Sequence, residues 1–76
     1  MTFLDALQEI MRQPSVNKMA YAQTYADAIL RGICPNDREH ITCQILYIQG
    51  NLVNWRGATA REVKAALKSE YERLTA

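Results

Sequence analysis

The sequence is poor in the residues from which catalytic sites are built. It has one histidine and three glycines, and it contains neither a glycine-rich phosphate loop nor a Gly-x-Ser-x-Gly elbow. An active site needs a nucleophile with its base, or a pair of carboxylates, held in a pocket. The four short helices predicted below also leave little room for a cleft. We therefore expect no enzymatic activity, no cofactor and no small-molecule substrate.

Metal-ligating residues are equally few. Cys34, Asp37, His40 and Cys43 carry suitable atoms, and His40 and Cys43 are one helical turn apart. The paired Cys-x-x-Cys or His-x-x-x-His spacing of closed zinc sites is absent, and Cys43 lies on an apolar stripe, where a thiol behaves as a small hydrophobic group. We expect no metal site and two reduced thiols, one in a loop and one on a helix.

Long apolar runs and an excess of one charge are also missing. No segment approaches the roughly 20 apolar residues of a membrane span, and the first residues lack the basic region and apolar core of a signal peptide. We therefore expect a cytoplasmic protein with no membrane partner. Nine Lys and Arg against eight Asp and Glu give a net charge of +1, without the strong positive field of a typical nucleic-acid-binding chain.

What the sequence does contain is helical periodicity. Thr2 and Asp5 form a capping pair for a first helix, which Pro14 ends. Ser15 or Asn17 can cap a second helix. Its core stripe includes Ala22 and Ala26, and its opposite side includes Gln23, Thr24, Asp27 and Arg31.

Two further helices follow in the second half of the chain. Gly32 suits a left-handed cap, and Asn36 with Glu39 predicts the start of a third helix that continues to about Trp55. Gly57 and a Thr59/Glu62 capping box predict the fourth helix. The expected fold is all-α: one domain over residues 1–76, a compact bundle of four short helices with the third helix central.

The third helix is apolar on two sides. Ile41, Ile45, Ile48, Leu52 and Trp55 share one side of a helical wheel, and a second apolar side lies nearly opposite. A helix of this kind is either central in the fold or part of an interface. With Tyr47 on the polar flank, the candidate interface residues are Cys43, Leu46, Tyr47, Gly50 and Val53.

A basic ridge offers an alternative site. Arg61, Lys64 and Lys68 recur at helical spacing on the fourth helix, and Arg56 precedes it. Such a ridge can lie along phosphates, although Glu72 stands four residues beyond Lys68 and partly neutralises it. The candidate nucleic-acid contacts are Arg56, Arg61, Lys64 and Lys68.

The segment from Gln44 to Gly57, with its Asn-Leu-x-x-Trp-Arg-Gly turn, and the following Ala60–Lys64 segment resemble small uncharacterised helical proteins of phages and prophages. The resemblance covers about the C-terminal half of the chain. It implies a bacterial or phage cytoplasm and a role in binding a host protein, but it supplies no functional residues.

These observations predict a non-catalytic, helical protein-interaction module. We expect it to self-associate, or to act on a host protein as a phage-type accessory or inhibitory protein. The alternative is a small DNA-binding or transcription-modulating protein that uses the basic ridge.

Overall fold

The first helix begins at the predicted capping pair. The computed structural model, which describes residues 1–76, shows α1 over Phe3–Arg12. The Asp5 backbone N–H donates to the Thr2 hydroxyl at 3.0 Å, and the Thr2 N–H donates to the Asp5 carboxylate at 3.1 Å. Both halves of the capping box are therefore confirmed. The helix ends before Pro14 and buries Ala6, Leu7 and Ile10.

The second helix, α2 (Lys18–Leu30), begins without a side-chain cap. Asn17 occupies the cap position with a positive φ of 52°, but its side chain makes no capping bond. Ser15 does not cap the helix either, because its hydroxyl donates to Gln23. Ala22 and Ala26 are buried as expected.

Gln23 is buried, contrary to the prediction that it lies on the outer side of α2. Its Nε2 group donates to the carbonyl oxygens of Ile10, at 3.1 Å, and Gln13, at 2.6 Å. Its Oε1 atom accepts the bond from Ser15. One side chain thus satisfies carbonyl groups at the C-terminal end of α1 and holds the connection between the first two helices.

The third helix, α3 (Arg38–Gly50), is shorter than predicted at both ends. Gly32 does adopt a positive φ, 72°, after α2. The cap is Asp37 rather than Asn36, and it accepts the backbone N–H of His40 at 2.9 Å. After Gly50 the chain turns, with the Asn51 N–H bonded to the carbonyl of Ile48 and the Leu52 N–H bonded to that of Gln49.

The fourth helix, α4 (Ala58–Thr75), begins earlier than the sequence indicates. Gly57 is its N-cap, with φ of 113°, a conformation that favours glycine. Because Thr59 is already inside the helix, the predicted Thr59/Glu62 capping box does not form. The connection before α4 is instead secured by the Lys64 ammonium, which donates to the Trp55 carbonyl at 2.6 Å.

The four helices form a closed ring. Both α1 and α3 contact α2 and α4, whereas no contact joins α1 to α3 or α2 to α4. This confirms an all-α bundle of four helices. The central position expected for the third helix is wrong, because α3 has only two neighbours, like every other helix. No helix is long and apolar enough to cross a membrane.

One hydrophobic core lies inside the ring. It receives residues from every helix and from both the α2–α3 and α3–α4 connections. Its buried members are Ala6, Leu7, Ile10, Ala22, Ala26, Cys34, Ile41, Ile45, Ile48, Leu52, Val63, Ala66 and Leu67. Trp55, which shares the predicted apolar stripe with Ile41 and Leu52, is only half-buried at the edge of the core.

The Gln23→Met substitution tests the buried carboxamide. Methionine keeps a similar length but leaves the carbonyls of Ile10 and Gln13 without that donor. We expect the free energy of unfolding to fall by about 1–3 kcal/mol, measured by urea denaturation. Gln8→Met is the control because Gln8 is exposed on α1, and it should change stability by less than about 0.5 kcal/mol. If Gln23→Met and Gln8→Met lowered the free energy of unfolding equally, the result would contradict the role assigned to the Gln23 carboxamide.

Candidate functional site

The second apolar side of α3 faces outward. We define the α3 outer face as the predicted set Cys43, Leu46, Tyr47, Gly50 and Val53. All five are exposed, with Leu46, Tyr47 and Val53 at 49%, 55% and 54% of their full surface. The first four belong to α3, whereas Val53 lies in the following connection because the helix ends at Gly50. No other helix of the chain covers this face.

Two tyrosines of α2, Tyr21 and Tyr25, extend the α3 outer face onto that helix. The rings of Tyr25 and Tyr47 stack with their centroids 5.2 Å apart and their planes at 29°. Tyr21 lies one turn before Tyr25 and is largely exposed. The aromatic surface therefore bridges two neighbouring helices, and the stack fixes the position of Tyr47 against the bundle.

The α3 outer face is also free of charge. From Ile41 to Trp55 the chain carries no acidic or basic side chain. The polar residues that flank the face are Gln44, Asn51 and Asn54. Charged groups are depleted at the centres of protein interfaces, where they would have to lose their water. The composition of the face is thus that of an interface centre, with neutral polar groups along its sides and the exposed Glu39 and Arg56 beyond its two ends.

No family model, curated protein or solved structure matches this chain.

Only part of the predicted basic ridge is free to contact phosphate groups. Arg56, Arg61 and Lys68 are exposed and take part in no ion pair. Lys64 is half-buried and donates to the Trp55 carbonyl, so it has a structural role that its position on a helical wheel does not reveal. Lys68 forms no ion pair with Glu72.

The residues considered as metal ligands are dispersed. Cys34 is buried in the α2–α3 connection, with its Sγ atom 3.5 Å from the Pro35 carbonyl oxygen, and Cys43 is exposed on α3. His40 places its Nδ1 atom 2.8 Å from the Asp37 carboxylate. No group of three or more His, Cys, Asp or Glu residues is arranged to hold a metal ion.

The structure adds a pocket that the sequence does not indicate. We call it the Trp55 pocket; it has a volume of about 220 Å³ and lies where the α1–α2 and α3–α4 connections meet. Its lining residues are Gln13, Pro14, Val16, Asn17, Lys18, Met19, Asn51 and Trp55. The two wall segments are more than 30 positions apart in the chain, so no local sequence signal brings them together.

Asp37 provides a test of the α3 start. The backbone N–H of His40, and then its side chain, stabilise the ionised carboxylate and lower the pKa of Asp37 below the ordinary value of 3.8. The contribution of the ionised Asp37 carboxylate to the stability of the fold is therefore complete above about pH 3.8. It is lost as the pH falls toward the lowered pKa. The Asp37→Asn variant keeps a capping oxygen but removes the charge.

We expect the stability difference between the natural chain and Asp37→Asn to shrink as the pH falls below about 3.8. Thermal unfolding at a series of acidic pH values measures this difference. Asp5, whose pKa is lowered by the backbone and hydroxyl of Thr2, should behave likewise in Asp5→Asn. A carboxyl pKa of Asp37 at or above 3.8 in an NMR titration would contradict the assignment.

Proposed function

We propose that this chain is a non-catalytic protein-interaction module that self-associates through the α3 outer face. The observation that carries the proposal is the exposure of a continuous, uncharged apolar face on a helix whose opposite side forms part of the core. Large exposed apolar residues that lie side by side are typical of protein-binding surfaces. Tyrosine, present here on both α2 and α3, is enriched among the residues that dominate interface energies.

A second copy of the chain is the occupant that fits this face. In a two-fold dimer the same surface meets itself, so any charge near the axis would face its own like charge. The α3 outer face has no such charge. Gly50 has nothing within 4 Å of the position of a Cβ atom, which leaves room for a partner helix to approach closely. A chain of this length also gains stability by burying additional apolar surface in an oligomer.

The biological setting we propose follows from the resemblance to phage and prophage proteins. The module would work in the cytoplasm of a bacterium as an accessory or inhibitory protein, by covering a surface of a host protein rather than by chemistry. Self-association and host binding are separate steps of this proposal. Capture of proteins from a bacterial lysate distinguishes self-association from host binding. The tagged natural chain is compared with a tagged monomeric variant.

The Leu46→Gln substitution tests self-association. The natural chain should show a mass that rises with concentration from the 8.7 kDa of the monomer toward twice that value, measured by sedimentation equilibrium. Leu46→Gln should raise the dissociation constant of the dimer by about tenfold, or about 1.4 kcal/mol, because it places a polar side chain from each copy at the centre of the apolar interface.

Leu4→Gln is the matched control. Leu4 is 54% exposed on α1, close to the 49% of Leu46, but it lies outside the α3 outer face. It should leave the dissociation constant unchanged. A natural chain that remains monomeric at millimolar concentration, or equal weakening by the two substitutions, would reject the proposal.

The second candidate function is binding to duplex DNA, with modulation of transcription. The observation that favours it is that Arg56, Arg61 and Lys68 are exposed and engaged in no ion pair. Lys64 is unsuitable for the test because its substitution would also break the bond to the Trp55 carbonyl.

The double variant Arg61→Gln/Lys68→Gln should weaken DNA binding and reduce its dependence on salt. Each phosphate contact that is lost lowers the slope of log affinity against log salt by about 0.9. Gel-shift titrations at several salt concentrations measure the slope, and Lys18→Gln on α2 serves as the control. If the natural chain causes no shift at low salt, the DNA-binding candidate is rejected.

A further inference from the structure

We propose that the Trp55 pocket binds a small apolar group that carries a carboxylate. This site is separate from the α3 outer face and from the basic ridge. The proposal depends on three properties of the pocket: its size, the chemistry of its lining and the way in which its walls are held.

The size of the Trp55 pocket and the apolar part of its lining fit a ligand group no larger than one ring or one branched side chain. A volume of about 220 Å³ is below the roughly 300–1,000 Å³ of pockets that hold drug-sized ligands. Val16 and Met19 provide apolar contacts, and Trp55 is half-buried beside them. A large indole surface that remains partly exposed gains further burial when an apolar group occupies the pocket.

The polar part of the lining favours a ligand with a negative charge. Lys18 is the only charged residue among the eight that line the pocket, and it takes part in no ion pair. No carboxylate lines the pocket. The remaining polar side chains are the carboxamides of Gln13, Asn17 and Asn51, which can donate hydrogen bonds to carboxylate oxygens. A cation would face Lys18 without any acidic partner.

Both walls are held in place before a ligand arrives. Gln13 is fixed because its carbonyl oxygen accepts a hydrogen bond from the Gln23 carboxamide, and the Ser15 hydroxyl donates to the same carboxamide. On the other wall, Lys64 holds the Trp55 carbonyl, and the Asn51 side chain donates to the Tyr47 carbonyl at 2.9 Å. A pocket whose walls are already ordered loses less conformational entropy on binding.

The same chemistry can come from a free aromatic acid or from the C-terminal residue of a peptide. The probes are therefore 3-phenylpropionate and a glycine-glycine-phenylalanine tripeptide, each compared with its own neutral amide. Because Trp55 is the only tryptophan in the chain, its fluorescence and its indole N–H signal in NMR report on the pocket directly.

We expect 3-phenylpropionate to shift the Trp55 signals and to bind about two- to fivefold more tightly than 3-phenylpropanamide, as for one solvent-accessible charge pair. A larger effect of the tripeptide acid than of 3-phenylpropionate would identify a peptide terminus as the source. The reverse order would identify a free acid.

Lys18→Gln should remove the preference for the acid over the amide, whereas Lys68→Gln, on α4, should retain it. Lys18 is exposed at the start of α2 and contributes no buried contact, so the variant should remain folded. Unchanged Trp55 signals at millimolar probe would overturn the proposal. Equal binding of acid and amide by the natural chain, or an acid preference that survives in Lys18→Gln, would overturn the assigned charge selectivity.

Discussion

The buried side chain of Gln23 fixes the relation between the first two helices. A carboxamide in the interior without partners would cost about 1–3 kcal/mol, and here each of its polar atoms has at least one partner. Through these bonds α2 holds the C-terminal end of α1 at a defined position. The α1–α2 pair then presents Ala22 and Ala26 beside Leu7 and Ile10, which is the surface on which the rest of the core packs.

A ring of four helices around a thin core leaves every helix with an outward side. On α4 that side is mainly polar or charged, and on α1 it is mixed, because Leu4 and Met11 are exposed there. On α3 it is apolar from Cys43 to Gly50, although the inward side already supplies Ile41, Ile45 and Ile48 to the core. Because no fifth element covers it, the chain exposes Leu46 and Tyr47 to solvent. This contrast between helices of one bundle is the reason why α3 is the surface proposed for interaction.

Local signals in the sequence predicted much of this fold. The Thr2/Asp5 capping box, the positive φ of Gly32 and Gly57, and the inward stripe of α3 each depend on residues close together in the chain. The end of α3 was missed because Leu52 continues the apolar period and remains buried after the helix has stopped at Gly50. The prediction of a Thr59/Glu62 capping box was wrong because Gly57 begins the helix earlier and Thr59 lies inside it.

Features that depend on contacts between distant segments were not predictable. Gln23 looks like a surface residue on a helical wheel, and only the position of α1 provides carbonyl groups for its amide. Lys64 likewise looks like part of a basic ridge until the α3–α4 connection brings the Trp55 carbonyl to it. The residues of the α3 outer face were identified from periodicity, but their exposure depended on where the other three helices packed. The Trp55 pocket forms where two connections meet, so the hydrophobic periodicity of the sequence does not predict it.

The packing of α1 against α4 has a consequence for how the chain folds. This contact joins the first helix to the last, so its loop spans nearly the whole sequence and carries the largest closure entropy in the molecule. Until it forms, Leu7 and Val63 have no complete core around them. Neither the α1–α2 half nor the α3–α4 half encloses a core of its own. Folding should accordingly be a single cooperative event in which the ring closes last.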